Sequence, residues 1–233
     1  VTGVSLQRWQ EAQEAERGFW STKGFGLDAF RGTVGGSMRT AAWAQPHLQL
    51  PTGDWLDVGV GPLGVGCTHF LERGGELHAL DPIEPTPADQ WQLPEPCRAL
   101  VRFCHGTTVT HVGRAEQLDF GDDRFAFVAL ENMLDHVQDP GAALREARRV
   151  LKPGGKLLVA IDTFSWLGEA RYHLITRRKQ PNTILVRAHP HRFSANDVMQ
   201  IVAAAGFRIA HANTPDRMTA IAGRGHRMRL LAG

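Results

Sequence analysis

Cysteine is scarce in this chain of 233 residues: Cys67, Cys97 and Cys104 are the whole set, and none belongs to a CxxC pair. An odd number of thiols without paired spacing suggests neither a disulfide framework nor a thiolate zinc site. Long apolar runs are missing as well. No stretch approaches the length that spans a bilayer, and the opening "VTGVSLQRWQEAQEAER" mixes acidic and basic residues in a way unlike a signal peptide. Net charge is small, formally +2 at pH 7, which gives no reason to expect nucleic acid or an anionic membrane as a partner. Together these absences lead us to expect a soluble, cytoplasmic protein that folds on its apolar core. Hydrophobic residues at 42% and charged residues at 21% are ordinary globular values and suffice for such a core.

What is present is a rhythm that starts at Trp55. "WLDV" reads as a strand, residues 64–73 as a helix that Gly74 and Gly75 would end, and "ELHALD" as a second strand. "PEPCRALVRFC" reads as a helix and "VTHV" as a third strand, while "RFAFVAL" is apolar enough for a central strand buried on both faces. "PGAALREARRVL" puts Ala143, Leu144, Ala147, Val150 and Leu151 on one helical face, and "KPGG" turns into the strand "KLLVAID". This alternation predicts an α/β fold with a parallel sheet covered on both sides. "SANDVMQIVAAAGF" then reads as a capped helix ending at Gly206. The strands "RIAHAN" and "RMTAIAGRG" follow it with no helix between, which predicts an antiparallel hairpin at the sheet edge. Residues 1–50 differ in character: a helix capped by Ser5 and running through Arg17, a stretch rich in glycine and aromatics, and a second short helix over 38–48. The expected division is therefore a helical section over 1–50 and a core over 51–233, with an insertion at about 163–193.

Between the first strand and the expected helix lies Gly59-x-Gly61-x-x-Gly64, and Asp81 closes the second strand 22 positions after Gly59. Glycines let a ligand approach the backbone, and a carboxylate at that strand end can accept hydrogen bonds from both ribose hydroxyls. The pair implies an adenosine-containing cofactor without choosing between a nicotinamide and a sulfonium. Asp57, two residues before Gly59, reads as orienting the loop through backbone amides.

Three stretches do choose. "DVGVG", "GRAEQLDF" (113–120) and "ENMLDHVQDPGAALREARRVLKPGGKLLVAID" (131–162), in this order and spacing, closely resemble the class I S-adenosylmethionine-dependent methyltransferases, particularly the small-molecule group. The resemblance covers about residues 55–162 and, more loosely, "HPHRFSANDVMQIVAAAGF". It implies a Rossmann-like, seven-stranded, mostly parallel sheet with an antiparallel last strand, helices on both faces and an N-terminal helical lid. It also implies S-adenosyl-L-methionine as cofactor, with roles by position. Gly59, Val60 and Gly61 would lie along the methionine part, Asp81 would hold the ribose, and Pro82 or Ile83 would pack on the adenine. Ala115 would bond the adenine through its backbone with Glu116 near the amino group, while Glu131 and Asn132 would pass close to the sulfonium. Where Arg114 stands the family often has Asp. From the lid, with its aromatics Trp9, Phe19, Trp20, Phe25, Phe30 and Trp43, Arg39 is the candidate partner of the cofactor carboxylate.

The sulfonium already activates the methyl group, so the protein must align an acceptor and remove its proton. His136, in "LDHVQDP" beyond the fourth strand, is the first candidate base; some small-molecule O-methyltransferases place a histidine there, sometimes helped by an acid after the fifth strand, here Asp162. His189 is a third candidate. It shares one side of "HPHRF" with His191, a spacing that could hold a metal, but no third ligand is identifiable and no metal is expected. The arginines of 169–192 offer recognition of an acidic group on the acceptor. The expected reaction is methyl transfer to a small metabolite, at oxygen first and nitrogen second. An RNA methyltransferase is the nearest alternative, disfavoured by the modest charge and by "ENML" where an [N/D]PP[Y/F] motif would stand. A nicotinamide oxidoreductase is disfavoured because the single tyrosine, Tyr172, has Thr176 rather than Lys four residues on.

Overall fold

The computed structural model describes residues 3–21, 24–48, 52–164, 187–213 and 226–233. Seven strands form one sheet: β1 (Trp55–Val58), β2 (Leu77–Asp81), β3 (Val109–Val112), β4 (Phe125–Glu131), β5 (Leu151–Thr163), β6 (Ile209–Asn213) and β7 (His226–Ala232). Their order across the sheet is β3-β2-β1-β4-β5-β7-β6. β1 to β5 run parallel, and β7 pairs antiparallel with both β5 and β6. The expected terminal hairpin is thus present, but its second strand slots inside the sheet and leaves β6 at the edge. That second strand is 226–232; "RMTAIAGRG" (217–225) lies outside the described residues.

Alternation along the strands explains why both faces are covered. Leu56, Val58, Val128 and Leu130 face α4 (Pro140–Val150) and α5 (Ala195–Ala204), burying Leu144, Ala147, Val198 and Val202. Trp55, Phe127, Ala129 and Leu158 face the other way, against Ala41 and Ala44 of α2 (Leu27–Ala44). A register shift between Phe125 and Phe127 lets Phe125 join the first layer and Phe127 the second. α3 (Glu95–Gly106) packs Val101 and Cys104 against Phe25, Phe30 and Trp91.

Local chemistry sets the helix starts. Ser5 caps α1 (Leu6–Phe19) through the Arg8 amide, Asp139 caps α4 through Ala142, and Ser194 forms a capping box with Asp197 ahead of α5. Two expectations change. The second helix starts at Leu27 rather than Met38 and runs 18 residues through Gly32, Gly35 and Gly36. Each glycine costs about 1 kcal/mol in a helix, an amount that packing on the sheet outweighs. α2 therefore packs directly on the sheet face through Ala41 and Ala44. The helix expected over 64–73 is replaced by turns and a short 3-10 segment, Cys67–Phe70, for a reason that lies in the site. No helix among the described residues is long and apolar enough to cross a membrane.

Leu144 is fully buried on α4, whereas Met38 is exposed on α2. Leu144→Ala should lower the unfolding free energy by about 2–5 kcal/mol in urea denaturation, and Met38→Ala should stay within about 0.5 kcal/mol of wild type. Equal, small losses would mean that α4 does not carry the core.

Candidate active site

A cavity of about 370 Å³ opens at the carboxyl ends of β1, β2 and β4, where an open parallel sheet offers its crevice. Its floor is acidic. Asp57, Asp81 and Glu131, from three adjacent strands, are all nearly buried.

Asp57 is bound from the loop it precedes. The Thr68 hydroxyl donates to Oδ2 at 2.6 Å and the Thr68 amide to the same oxygen at 3.4 Å. Burial, reinforced by the Glu131 charge and opposed by the Thr68 bonds, pushes its carboxyl up to about 7. A Cβ on Gly66 would lie 2.2 Å from Asp57 Oδ2, so only glycine lets the chain fold back over this carboxylate. The wrapping of 61–68 around Asp57 takes the place of the expected helix. Asp57 does orient the loop, as its position suggested.

Asp81 joins the ends of two strands. The Gly61 amide donates to Oδ2 and the Ile83 amide to Oδ1, each at 2.8 Å. Burial still raises its carboxyl to about 6 against those bonds. Glu131 accepts from the Ser37 hydroxyl at 2.8 Å through Oε2, while Oε1 has no hydrogen-bond partner and stands 3.9 Å from Arg227 Nη1. Next to it Asn132 takes a left-handed backbone, φ +54, and accepts from Arg227 Nη2 at 2.8 Å. Gly59, φ +83, is likewise dictated by space: a Cβ there would meet Met133 Cβ at 2.4 Å.

Most of the expected site residues meet here. Gly59, Val60, Gly61, Asp81, Pro82, Ile83, Ala115, Glu116, Glu131, Asn132, His136 and His189 all line the cavity. α1 and α2 roof it with Trp9, Gln13, Glu16, Phe19, Trp20, Thr33 and Ser37. Of the six expected lid aromatics only Trp9, Phe19 and Trp20 reach the cavity; Phe25 and Phe30 are buried beneath, and Trp43 packs toward His47. Arg114 stacks on Trp9 at 4.1 Å and donates to Gln138 Oε1 at 2.8 Å. Glu116 Oε1 accepts the Gln138 amide at 2.7 Å, so part of this carboxylate holds the loop after β4.

Two expectations need correcting. Arg39 is exposed on α2 and does not line the cavity, whereas Arg227, on β7, does. Asp162 is not a lining residue either. Arg227 grips it with Nε at 2.9 Å and Nη2 at 3.0 Å. Burial would raise the Asp162 carboxyl, but the Arg227 bonds and charge override that and hold it below its usual range. It is a counter-ion, unsuited to accept a proton. Sequence reasoning missed Arg227, which lies outside the motifs, and Ser37 and Glu16, which reach the cavity only through helix packing.

His136 lies under α1. Its Nδ1 sits 3.0 Å from the Ala188 carbonyl and 3.3 Å from Glu16 Oε1. Both are acceptors, so in the neutral ring Nδ1 is the protonated nitrogen and Nε2 carries the lone pair. His189 packs against it with the rings tilted by 50° and their centroids 4.3 Å apart. His191 turns away: it is buried, its ring bonded to the Val137 carbonyl at 2.9 Å, and burial lowers its pKa. Most of the arginine-rich stretch, 165–186, lies outside the described residues.

A glycine turn after β1, a carboxylate closing β2 and a crevice at the strand ends define a Rossmann-like cofactor-binding α/β domain. Residues 56–159, a little under half of the chain, match the family profile described as "Methyltransferase domain", a span that runs from β1 into β5. A ubiquinone biosynthesis O-methyltransferase of Rhodopseudomonas palustris is 31% identical over 111 residues, 48% of this chain and 40% of that protein. The alignments with the curated relatives span less than half of those proteins' own length. Among solved structures, a 1,6-didemethyltoxoflavin-N1-methyltransferase from Burkholderia thailandensis superposes with TM-score 0.55 at 22% identity, over 84% of this chain and 77% of that one. An N-methyltransferase from Haemonchus contortus, solved with phosphomonomethylethanolamine and S-adenosylhomocysteine, gives TM-score 0.64 at 16% identity, over 93% and 58%. These structural likenesses establish the shared fold.

The pH dependence of Asp57 tests the acidic floor. An unfolded aspartate titrates near 3.8 and the folded Asp57 near 7, so between these values the native state holds the extra proton. Its contribution to stability therefore falls as pH rises through that window and is level above it. The stability of Asp57→Asn relative to wild type should rise from about pH 4 to about pH 7 and then stay flat, measured by chemical denaturation. A difference independent of pH would show that Asp57 is not protonated in the folded chain.

Proposed function

We propose that the chain transfers a methyl group from S-adenosylmethionine to a small-molecule acceptor, at oxygen in preference to nitrogen. The observation that carries this reading is the buried acidic floor, Asp57, Asp81 and Glu131, facing the glycine loop. A sulfonium and an ammonium are both cations and gain from such a floor, whereas a dinucleotide diphosphate would be repelled by it. The loop also runs into turns and a 3-10 segment, so it lacks the helix N-terminus on which a diphosphate rests.

The cofactor's residues then follow by place. Asp81 would take the ribose hydroxyls, Gly59 to Gly61 the methionine chain, Pro82 and Ala115 the adenine, and Glu131 with Asn132 the sulfonium end. The roof of α1 and α2 would exclude water and act as the lid. In the reaction an acceptor lone pair attacks the methyl carbon in line with the sulfur–carbon bond. The bonding pair returns to sulfur, and the products are the methylated acceptor, S-adenosylhomocysteine and a proton. Alignment supplies roughly 7–11 kcal/mol in favourable cases. Proton removal falls to the end of the cavity that carries His136 and His189. An acidic group on the acceptor would suit the arginines of the insertion.

Calorimetric titration with S-adenosylhomocysteine and with NADH tests this reading. S-adenosylhomocysteine should bind with an affinity that is level above about pH 7 and weakens as pH falls through about 6, where Asp81 takes up its proton. Asp81→Asn should weaken binding by about 1.5–3 kcal/mol at pH 8, the worth of hydrogen bonds to a charged group, and should flatten the pH profile. Binding of NADH alone would overturn the proposal.

A further inference from the structure

The loop after β4 and the segment before α5 bring together three groups that the sequence separates widely. Asp135 is 94% buried by its 6% relative exposure, and its Oδ1 has no hydrogen-bond partner. His136 Nε2 stands 3.7 Å from that oxygen, and His189 Nε2 stands 3.6 Å from Oδ2. One ligand atom from each residue lies within 4.8 Å of the others. These separations exceed a hydrogen bond. They are slightly wider than the roughly 3–3.6 Å between neighbouring donors on one cation, given bonds of about 2.0–2.2 Å at roughly 90–110°, so small side-chain rotations would bring the three donors onto one ion.

The surroundings prepare the donors. His136 Nδ1–H is directed at the Ala188 carbonyl and Glu16, which turns the Nε2 lone pair toward Asp135. A carbonyl or carboxylate on the far nitrogen is the arrangement that orients histidine ligands and raises their basicity. The Asp135 carbonyl accepts the His191 amide at 3.3 Å, fixing the two segments together. Both imidazoles also line the cavity, so an ion bound here keeps open positions toward the acceptor.

We propose that Asp135, His136 and His189 bind one divalent transition-metal ion at the acceptor end of the cavity, where it would take the acceptor's hydroxyl oxygen. Two imidazoles and one carboxylate on one face suit Zn²⁺, Mn²⁺, Co²⁺ or Fe²⁺ and leave open positions for that oxygen. The ion acts as a Lewis acid only. The coordinated hydroxyl releases its proton to solvent, and the resulting metal-bound oxygen takes the methyl carbon as sulfur recovers the bonding pair. In the loaded chain the His136 lone pair is spent on the ion, so deprotonation no longer needs it as a base. The role of the ion rests on the methyltransferase reading; the site itself does not.

The test uses the untagged full chain after chelator treatment, titrated with Mn²⁺ and Zn²⁺ by calorimetry and with Co²⁺ by visible d–d absorption. Near one equivalent should bind, and His189→Ala and Asp135→Asn should each weaken it by at least about tenfold, the loss that even outer-shell changes cause. Glu76→Gln, in the separate Asp54–Glu76–His78 group, should leave it unchanged. Should Asp135→Asn fail to fold, His189→Ala decides alone, since its side chain is 26% exposed. Absence of binding, or binding that survives His189→Ala, overturns the proposal. S-adenosylhomocysteine affinity is read in the same samples, so a site that binds metal without that ligand would sink the methyltransferase reading and keep the metal site.

Discussion

The structure depends on a constraint at the carboxyl edge of the sheet: three adjacent strands end in carboxylates that water barely reaches, and each must be bonded from its surroundings. Asp57 draws Thr68 back over itself and so prevents a helix after the glycines. Asp81 holds the Gly61 amide and thereby the shape of the loop. Glu131 requires Ser37, which brings α2 over the cavity. The roof, the loop and the floor are consequences of the same requirement. It also fixes what the cavity favours, because an acidic and poorly hydrated pocket selects for cations.

Arg227 links this edge to the end of the chain. β7 is inserted between β5 and β6, which places the guanidinium beside Asp162, Asn132 and Glu131 at once. A pair with Asp162 alone would add little; its bond to Asn132 lets it support that residue's left-handed backbone. The N-terminal helices and the C-terminal strand thus close over the same floor.

The sheet and most of the lining were legible in the sequence because both rest on local patterns. Burial on two faces marked β4 and the end of the second strand marked Asp81, while Ala115, Glu116, Glu131 and Asn132 followed from the resemblance of their motifs to the methyltransferases. What was illegible depends on contacts between distant segments. Nothing in 64–73 announces that Asp57 will hold Thr68, and the glycines of α2 argue against a helix that only tertiary packing sustains. Arg39 and Arg227 look alike in the sequence, and only the packing of α2 and the insertion of β7 decide which one reaches the cavity. Asp162 looked free to take a proton until β7 put Arg227 beside it. Likewise nothing in "HPHRF" says which histidine faces the cavity: the backbone turns His191 into the core and leaves His189 to meet His136.

A crystal structure of the chain with S-adenosylhomocysteine tests the central claim most directly. The account places the ribose hydroxyls on the Asp81 carboxylate and the sulfur beside Glu131 and Asn132, under the roof of α1 and α2. A ligand lying elsewhere, or a ribose away from Asp81, would contradict it.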